Sequence, residues 1–150
     1  MEDYRHLLAA VDLSAESDQV AHRAVALRDK CGARLSLVHV VEYVPMAYSG
    51  DLALPDDFNL EQELLEVARR RMVELGERLG VAEADRYVAL GSTAKEILRI
   101  VQEQGMDLIV LGSHGRHGLA MLLGSTANAV LHHAECDLLA VRISEKPSRG

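Results

Sequence analysis

Three glycines and two histidines leave one short apolar run, Gly112-Ser113-His114-Gly115-Arg116-His117-Gly118, and Gly124-Ser125-Thr126 follows soon after. Glycine lets backbone N–H groups approach an anion without interference from a Cβ. Where such a loop runs into a helix start, the first N–H groups have no intrahelical partner. With the Ser125 and Thr126 hydroxyls beside them, they suit a phosphate. Arg116 can add charge-assisted hydrogen bonds. The bland alternative for the same residues is a sharp strand exit and a loop. Asp12 follows an earlier apolar run and has two readings as well. It either caps a turn or offers a carboxylate to a ribose hydroxyl or an adenine amino group. In an open α/β sheet both segments fall at the carboxyl ends of strands, where ligands bind, so each ligand reading strengthens the other.

Other chemistries lack their residues. No Lys precedes Ser125, as a P-loop requires, and neither GxGxxG nor GxSxG occurs. His114-Gly115-Arg116-His117 holds the residues of a nucleotidyltransferase HxGH motif in another order, and after the fourth apolar run rather than the first. No nucleophile or water-positioning base can be named, so no catalytic residue is assigned and any phosphate hydrolysis should be slow. His132, His133 and Cys136 lie close in sequence. Adjacent histidines diverge by about 100° on a helix and the spacing fits no zinc pattern, so no metal site is assigned. His39 sits inside an apolar run and reads as a core or near-site histidine. His22 reads as a solvated helix residue. Arg69-Arg70-Arg71, flanked by Glu66 and Glu74, reads as a salt-bridged helix face.

The elements that must position these residues alternate along the chain. Leu7 to Val11, Leu35 to Val41, Tyr87 to Leu90, Leu108 to Leu111 and Leu138 to Val141 are short apolar runs without polar alternation. Both faces of such strands are covered, which points to a parallel sheet. Between them lie helical periods. Val20, Ala24, Leu27 and Cys31 share one face of the first. Leu60, Leu64, Val67, Ala68, Met72, Leu75 and Leu79 form the expected inward face of the second. Thr93-Ala94-Lys95-Glu96 has the pattern of a capping box, with Ile97, Leu98 and Val101 inward. The fourth helix runs from about Ser125 to His133. Gly32 and Gly105 stand where helices should stop. The resulting βαβαβαβαβ order, with right-handed crossovers, puts helices on both faces of one open parallel sheet. The long connection from Tyr43 to Asn59 reads either as a lid over a site or as a plain loop.

The chain has 150 residues, the size of one domain spanning 1–150. Hydrophobic residues at 49% and charged residues at 26% exclude disorder as the main state. Aromatics at 3% leave few side chains for a single-strand stacking platform. Lys plus Arg number 16 against 23 acids, and the net charge of −7 repels DNA, RNA and anionic membranes. Two distant cysteines, Cys31 and Cys136, form no disulfide framework. The first residues lack a signal peptide's basic and apolar regions, and no apolar run reaches the roughly 18 residues of a membrane helix. The expected location is the cytoplasm.

Ala10-Val11-Asp12, Leu37-Val38-His39-Val40-Val41, and above all Leu111 to Leu119 with Leu122-Leu123-Gly124-Ser125-Thr126-Ala127, resemble the universal stress protein (UspA) family, as does Cys136 to Val141 as a last strand. The resemblance covers essentially the whole chain. It implies a Rossmann-like sheet of the adenine-nucleotide α-hydrolase type, five parallel strands in the order 3-2-1-4-5. It also implies a stress-response role, a homodimer and, in one branch, bound ATP, ADP or AMP with Mg held by the phosphates. By the same resemblance, Asp12 and the Val40 backbone would hold the adenosine, with Gly112 near the ribose. Gly115, Gly124, Ser125 and Thr126 would hold phosphates, next to His114 and Arg116. That branch has nine residues between the second and third glycines, whereas Arg116 to Leu123 gives eight. A residue lost at the loop crest leaves both anchors in place. One lost beside Gly124 turns the helix start away. The other branch lacks the glycines, binds no nucleotide and acts through protein partners. In the implied order the last strand lies at an edge, so Leu138 to Ile143 is the expected homodimer contact.

Overall fold

The structure is a computed structural model describing residues 3–14, 18–42, 57–113 and 124–143, with 57–59 described by backbone alone. Strand β1 (His6–Ala10) is followed by α1 (Asp18–Cys31), β2 (Arg34–Val41) and α2 (Asp57–Leu79). A 3-10 turn (Glu83–Asp85) leads into β3 (Arg86–Leu90), then α3 (Thr93–Gln104), β4 (Leu108–Gly112), α4 (Ser125–His133) and β5 (Asp137–Val141). All strand pairs are parallel, in the order β3-β2-β1-β4-β5. This is the fold class and strand order expected above. The expected loop from Tyr43 to Asn59 ends earlier, because α2 begins at Asp57; residues 43–56 lie outside the described set, and with them the lid reading.

Alternate residues of the central strands feed opposite layers, since side chains along a strand point to opposite faces. Leu7, Ala9, Leu35, Leu37 and Val110 pack under α1 and α2 against Val20, Ala24, Met72 and Leu75. Leu8, Val38, Ile109 and Leu111 pack under α3 and α4 against Ile97, Ile100, Val101 and Val130. Each fully buried side chain of this size removes enough apolar surface to contribute about 1.5–3 kcal/mol. The two outer strands differ from the expectation of full burial. Tyr87 to Ala89 and Leu138 to Ala140 are only partly buried, because β3 and β5 each have one neighbour.

Three helix expectations need correction. On α2 the inward row is Leu65, Ala68, Met72 and Leu75, while Leu60, Leu64 and Val67 are 46%, 38% and 37% exposed. The two rows lie one residue apart, both are apolar, and only the tilt of α2 on β2 and β3 decides between them. Arg69, Arg70 and Arg71 are exposed, and among the described residues no ion pair joins them to Glu66 or Glu74; Arg78 of this helix pairs with Asp18 instead. The capping box at α3 does not form. Thr93 is already the first helical residue, and its hydroxyl and N–H both donate to Glu42 Oε2 at 2.8 Å. Glu96 pairs with Arg99. The far end of α3 behaves as expected: Gly105 adopts φ 65, a left-handed conformation that glycine enters without a Cβ penalty.

The amino edge of the sheet carries a polar chain. Ser36, the buried polar residue of the core, donates from its hydroxyl to Asp85 Oδ1 at 3.2 Å and accepts from His6 Nε2 at 2.8 Å. Arg34 Nε donates to the same Asp85 oxygen at 2.8 Å. Burial, and then the Arg34 charge, pull the His6 pKa below 6.5. The folded state therefore favours the neutral ring, and the unfolded chain takes up the proton first as pH falls. His6 thus contributes stability that is complete above 6.5 and is lost as pH drops from there through the lowered folded value. His6→Gln is expected to flatten the decline of melting temperature across that acidic window; an unchanged slope refutes the assignment.

Candidate ligand site at the carboxyl edge

The carboxyl ends of β1, β2 and β4 surround a cavity of about 260 Å³, near the lower end of the range for small-molecule sites. It lies where the order of the sheet reverses, with β1 between β2 and β4. Six expected residues line it: Asp12, Val40, Gly112, Gly124, Ser125 and Thr126. His114, Gly115 and Arg116, also expected there, lie outside the described residues. The lining adds residues that the sequence reading did not assign to a site, among them Thr93 and Ile97 of α3, and Ile143 beyond β5.

Local backbone geometry explains how each side chain arrives. Val11 is the last β1-side residue in the ladder, its N–H donating to the Val38 carbonyl at 2.9 Å. Leu13, two residues on, takes φ 65, a left-handed conformation that costs a residue with a Cβ roughly 1–2 kcal/mol. That turn brings Ser14 back onto Asp12, whose Oδ1 accepts from the Ser14 N–H at 2.9 Å and its hydroxyl at 2.6 Å. Asp12 thus closes a turn, as one of its two sequence readings has it, and also lines the pocket. A non-glycine residue at positive φ beside a cavity is the kind of strain that clusters at functional positions.

On the opposite wall, Gly124 N–H donates to the Ser113 carbonyl at 2.6 Å, while Ser113 N–H donates to Val141 at 2.8 Å. These two bonds fix the α4 start to β4 and β5 on either side of the undescribed segment. Gly124 precedes α4 with φ −66 and ψ 164 and, as a glycine, brings no capping side chain of its own. Its first N–H groups therefore face the cavity end with the positive pole of the helix. A third element closes the rim: Glu42, after β2, takes both Thr93 donors and so holds the start of α3 against β2. Those hydrogen bonds, the backbone one first, lower the Glu42 pKa below its ordinary value.

A carboxylate thus stands on one side of the cavity and the N-terminus of α4 on the other. This polarity suits a ligand with a donor-rich end and an anionic end. His39 also lines the cavity, half-buried, with Nδ1 2.8 Å from the Val11 carbonyl. The other histidines do not converge on it: His22, His132 and His133 are exposed. Among the described residues no group of three His, Cys, Asp or Glu side chains is placed to hold a metal ion, and no helix is long and apolar enough to cross a membrane.

Residues 3–142 match the model of the universal stress protein family. The chain is 42% identical over 142 residues to universal stress protein A homolog 1 of Coxiella burnetii, covering 95% of this chain and 99% of that protein. Among solved structures it is similar to universal stress protein UspA from Lactobacillus plantarum, with a TM-score of 0.76, 23% identity, and 96% and 100% of the two chains covered. It is also similar to a universal stress protein crystallised in complex with cAMP, with a TM-score of 0.64, 20% identity, and 95% and 100% covered.

Proposed function

Because this chain belongs to the universal stress protein family, we propose that it is an adenine-nucleotide-binding regulator of a stress response, whose ligand sits in the carboxyl-edge cavity. The observation that carries this reading is the convergence of Asp12, Val40, Gly112, Gly124, Ser125 and Thr126, from four separate stretches of chain, on one cavity. Asp12 accepts from the ribose or the adenine amino group, and the Val40 backbone meets the base. Gly112 adjoins the ribose. Gly124, Ser125 and Thr126 present N–H groups and hydroxyls to phosphate, joined by Gly115, Arg116 and His114. A similar fold crystallised with cAMP supports an adenine nucleotide as the class of ligand. ATP, ADP and AMP all meet these requirements, with Mg held by phosphate oxygens when they carry it. Nucleotide state acts on partners by favouring one loop arrangement over another, to the extent that the ligand binds the two with different affinity.

The proposed protein is a cytoplasmic homodimer joined through Leu138 to Ile143. Support comes from the position of β5 at the sheet edge with Leu138, Leu139 and Ala140 only partly buried, since an apolar edge is stabilised by pairing. The eight-residue interval from Arg116 to Leu123 favours a second reading, a nucleotide-free interaction protein of the same family.

Calorimetric titration of nucleotide-stripped protein separates the two. ATP with Mg²⁺ is expected to bind at micromolar concentration, with AMP and cAMP weaker or equal and GTP silent. Absence of heat at millimolar ATP turns the assignment to the protein-binding reading. Light scattering on the same sample is expected to give twice the 16.4 kDa chain mass, and a monomer removes the β5 contact.

A further inference from the structure

Paired β1 and β2 residues run in register from His6↔Arg34 to Ala10↔Val38. The ladder continues for one more bond, from the Val11 N–H to the Val38 carbonyl. In a parallel ladder the next acceptor is the Val11 carbonyl and the next donor on β2 is the Val40 N–H. Here the Val11 carbonyl is taken by a side chain, His39 Nδ1 at 2.8 Å. A carbonyl oxygen only accepts, so Nδ1 carries the proton in this contact. We infer that His39 is a positioning residue for the ligand: its imidazole replaces the ladder bond at Val11, ends the β1–β2 pairing there, and turns the Val40 backbone and Asp12 toward the cavity instead of toward each other.

Three observations bear on this independently. Val40 lies beyond the last residue paired with β1, stays paired with Ala89 on β3, and lines the cavity. The chain takes a left-handed turn two residues after the Val11 contact, with Leu13 at φ 65. His39 itself lines the pocket, so the strut is built into the wall. A plain apolar residue at position 39 would offer no donor. It would leave the Val11 carbonyl seeking a donor, and the Val40 N–H is the nearest in the ladder pattern. Taking that N–H back into the sheet would remove a recognition group from the site. His39 therefore acts on the ligand through Val11 and Val40.

The inference rests on the nucleotide reading above, and its test keeps the two apart. AMP and ATP with Mg²⁺ are titrated into wild-type protein, His39→Asn and His39→Phe. Asn places its amide N–H₂ close to the position of Nδ1 and should retain affinity within about threefold, whereas Phe keeps the ring without a donor and should lose about tenfold, the scale of one hydrogen bond. Equal affinity in His39→Phe and wild type overturns the positioning role while leaving the nucleotide reading intact; wild type that binds neither probe overturns the nucleotide reading itself. A spectroscopic readout stands even if His39→Phe fails to fold. The ¹⁵N spectrum of wild-type His39, recorded above the ordinary imidazole titration range, is expected to show the proton on Nδ1, the minor tautomer of the free side chain. A proton on Nε2 refutes the contact with Val11.

Discussion

Gly124→Val is expected to weaken binding of ATP by at least about 100-fold, or about 2.8 kcal/mol at 1.4 kcal/mol per factor of ten, with the circular dichroism spectrum unchanged. The reason is that glycine at 124 is not demanded by the backbone. Its φ of −66 and ψ of 164 suit any L-residue, so the chain can place valine there without changing course. What a valine adds is a branched side chain at the point where the cavity meets the start of α4. The cost to the fold is small: an apolar helix cap in place of glycine is worth about 1 kcal/mol, or roughly 2–4 °C in a protein of this size. Thermal melts and titration of the same variant therefore separate fold from site. Full affinity with a normal melt would show that the α4 start does not touch the ligand.

Gly76→Ala reverses the usual rule for helices. Replacing a glycine in a helix interior with alanine ordinarily stabilises by about 1 kcal/mol. At Gly76 an added Cβ would lie 2.8 Å from Arg86 Cδ and 2.9 Å from Cζ. These are mid-chain atoms, and Arg86 is held where it is by donation from Nε to the Val81 carbonyl at 2.9 Å. The choices are overpacking, at about 1–3 kcal/mol, or expulsion of Arg86 with loss of that bond, at about 0.5–1.5 kcal/mol. The net expectation is destabilisation by about 1–2 kcal/mol and a melting temperature lower by roughly 2–8 °C. With Arg86→Ala already in place the same change should stabilise, because only the helical preference then remains. A rise in melting temperature in the wild-type background refutes the packing argument.

Sequence pattern reaches different depths in different parts of this molecule. The five strands are legible because parallel strands covered on both sides leave continuous apolar runs such as Leu108 to Leu111. Their order is not, since a period says nothing about neighbours; it came from the resemblance of Leu111 to Ala127 to a family. The Leu64 and Leu65 rows of α2 are equally apolar, so only packing could choose between them. Thr93 looked like a local cap because its actual partner, Glu42, is 51 positions away. In the site, Asp12, Gly112 and Gly124 were legible as unusual residues at strand exits. Thr93 and Ile97 were not, although α3 also starts at the carboxyl edge, a signal that could have placed them. Nothing in the type of Leu13 announces a left-handed backbone.

The central position of β1 has a consequence for the order in which the molecule can be completed. It is made first yet needs β4 as its second neighbour, and the His6 N–H that docks on Asp107 is 101 positions from its acceptor. At ribosomal speeds of about 5–20 residues per second, that is roughly 5–20 s during which one edge of the first strand has no native partner. The wall that joins Asp12 to Ser125 and Ile143 closes later still. A nascent chain can therefore gather β1, β2 and β3 early, but it acquires the pocket only after β4, the start of α4 and Ile143 have followed.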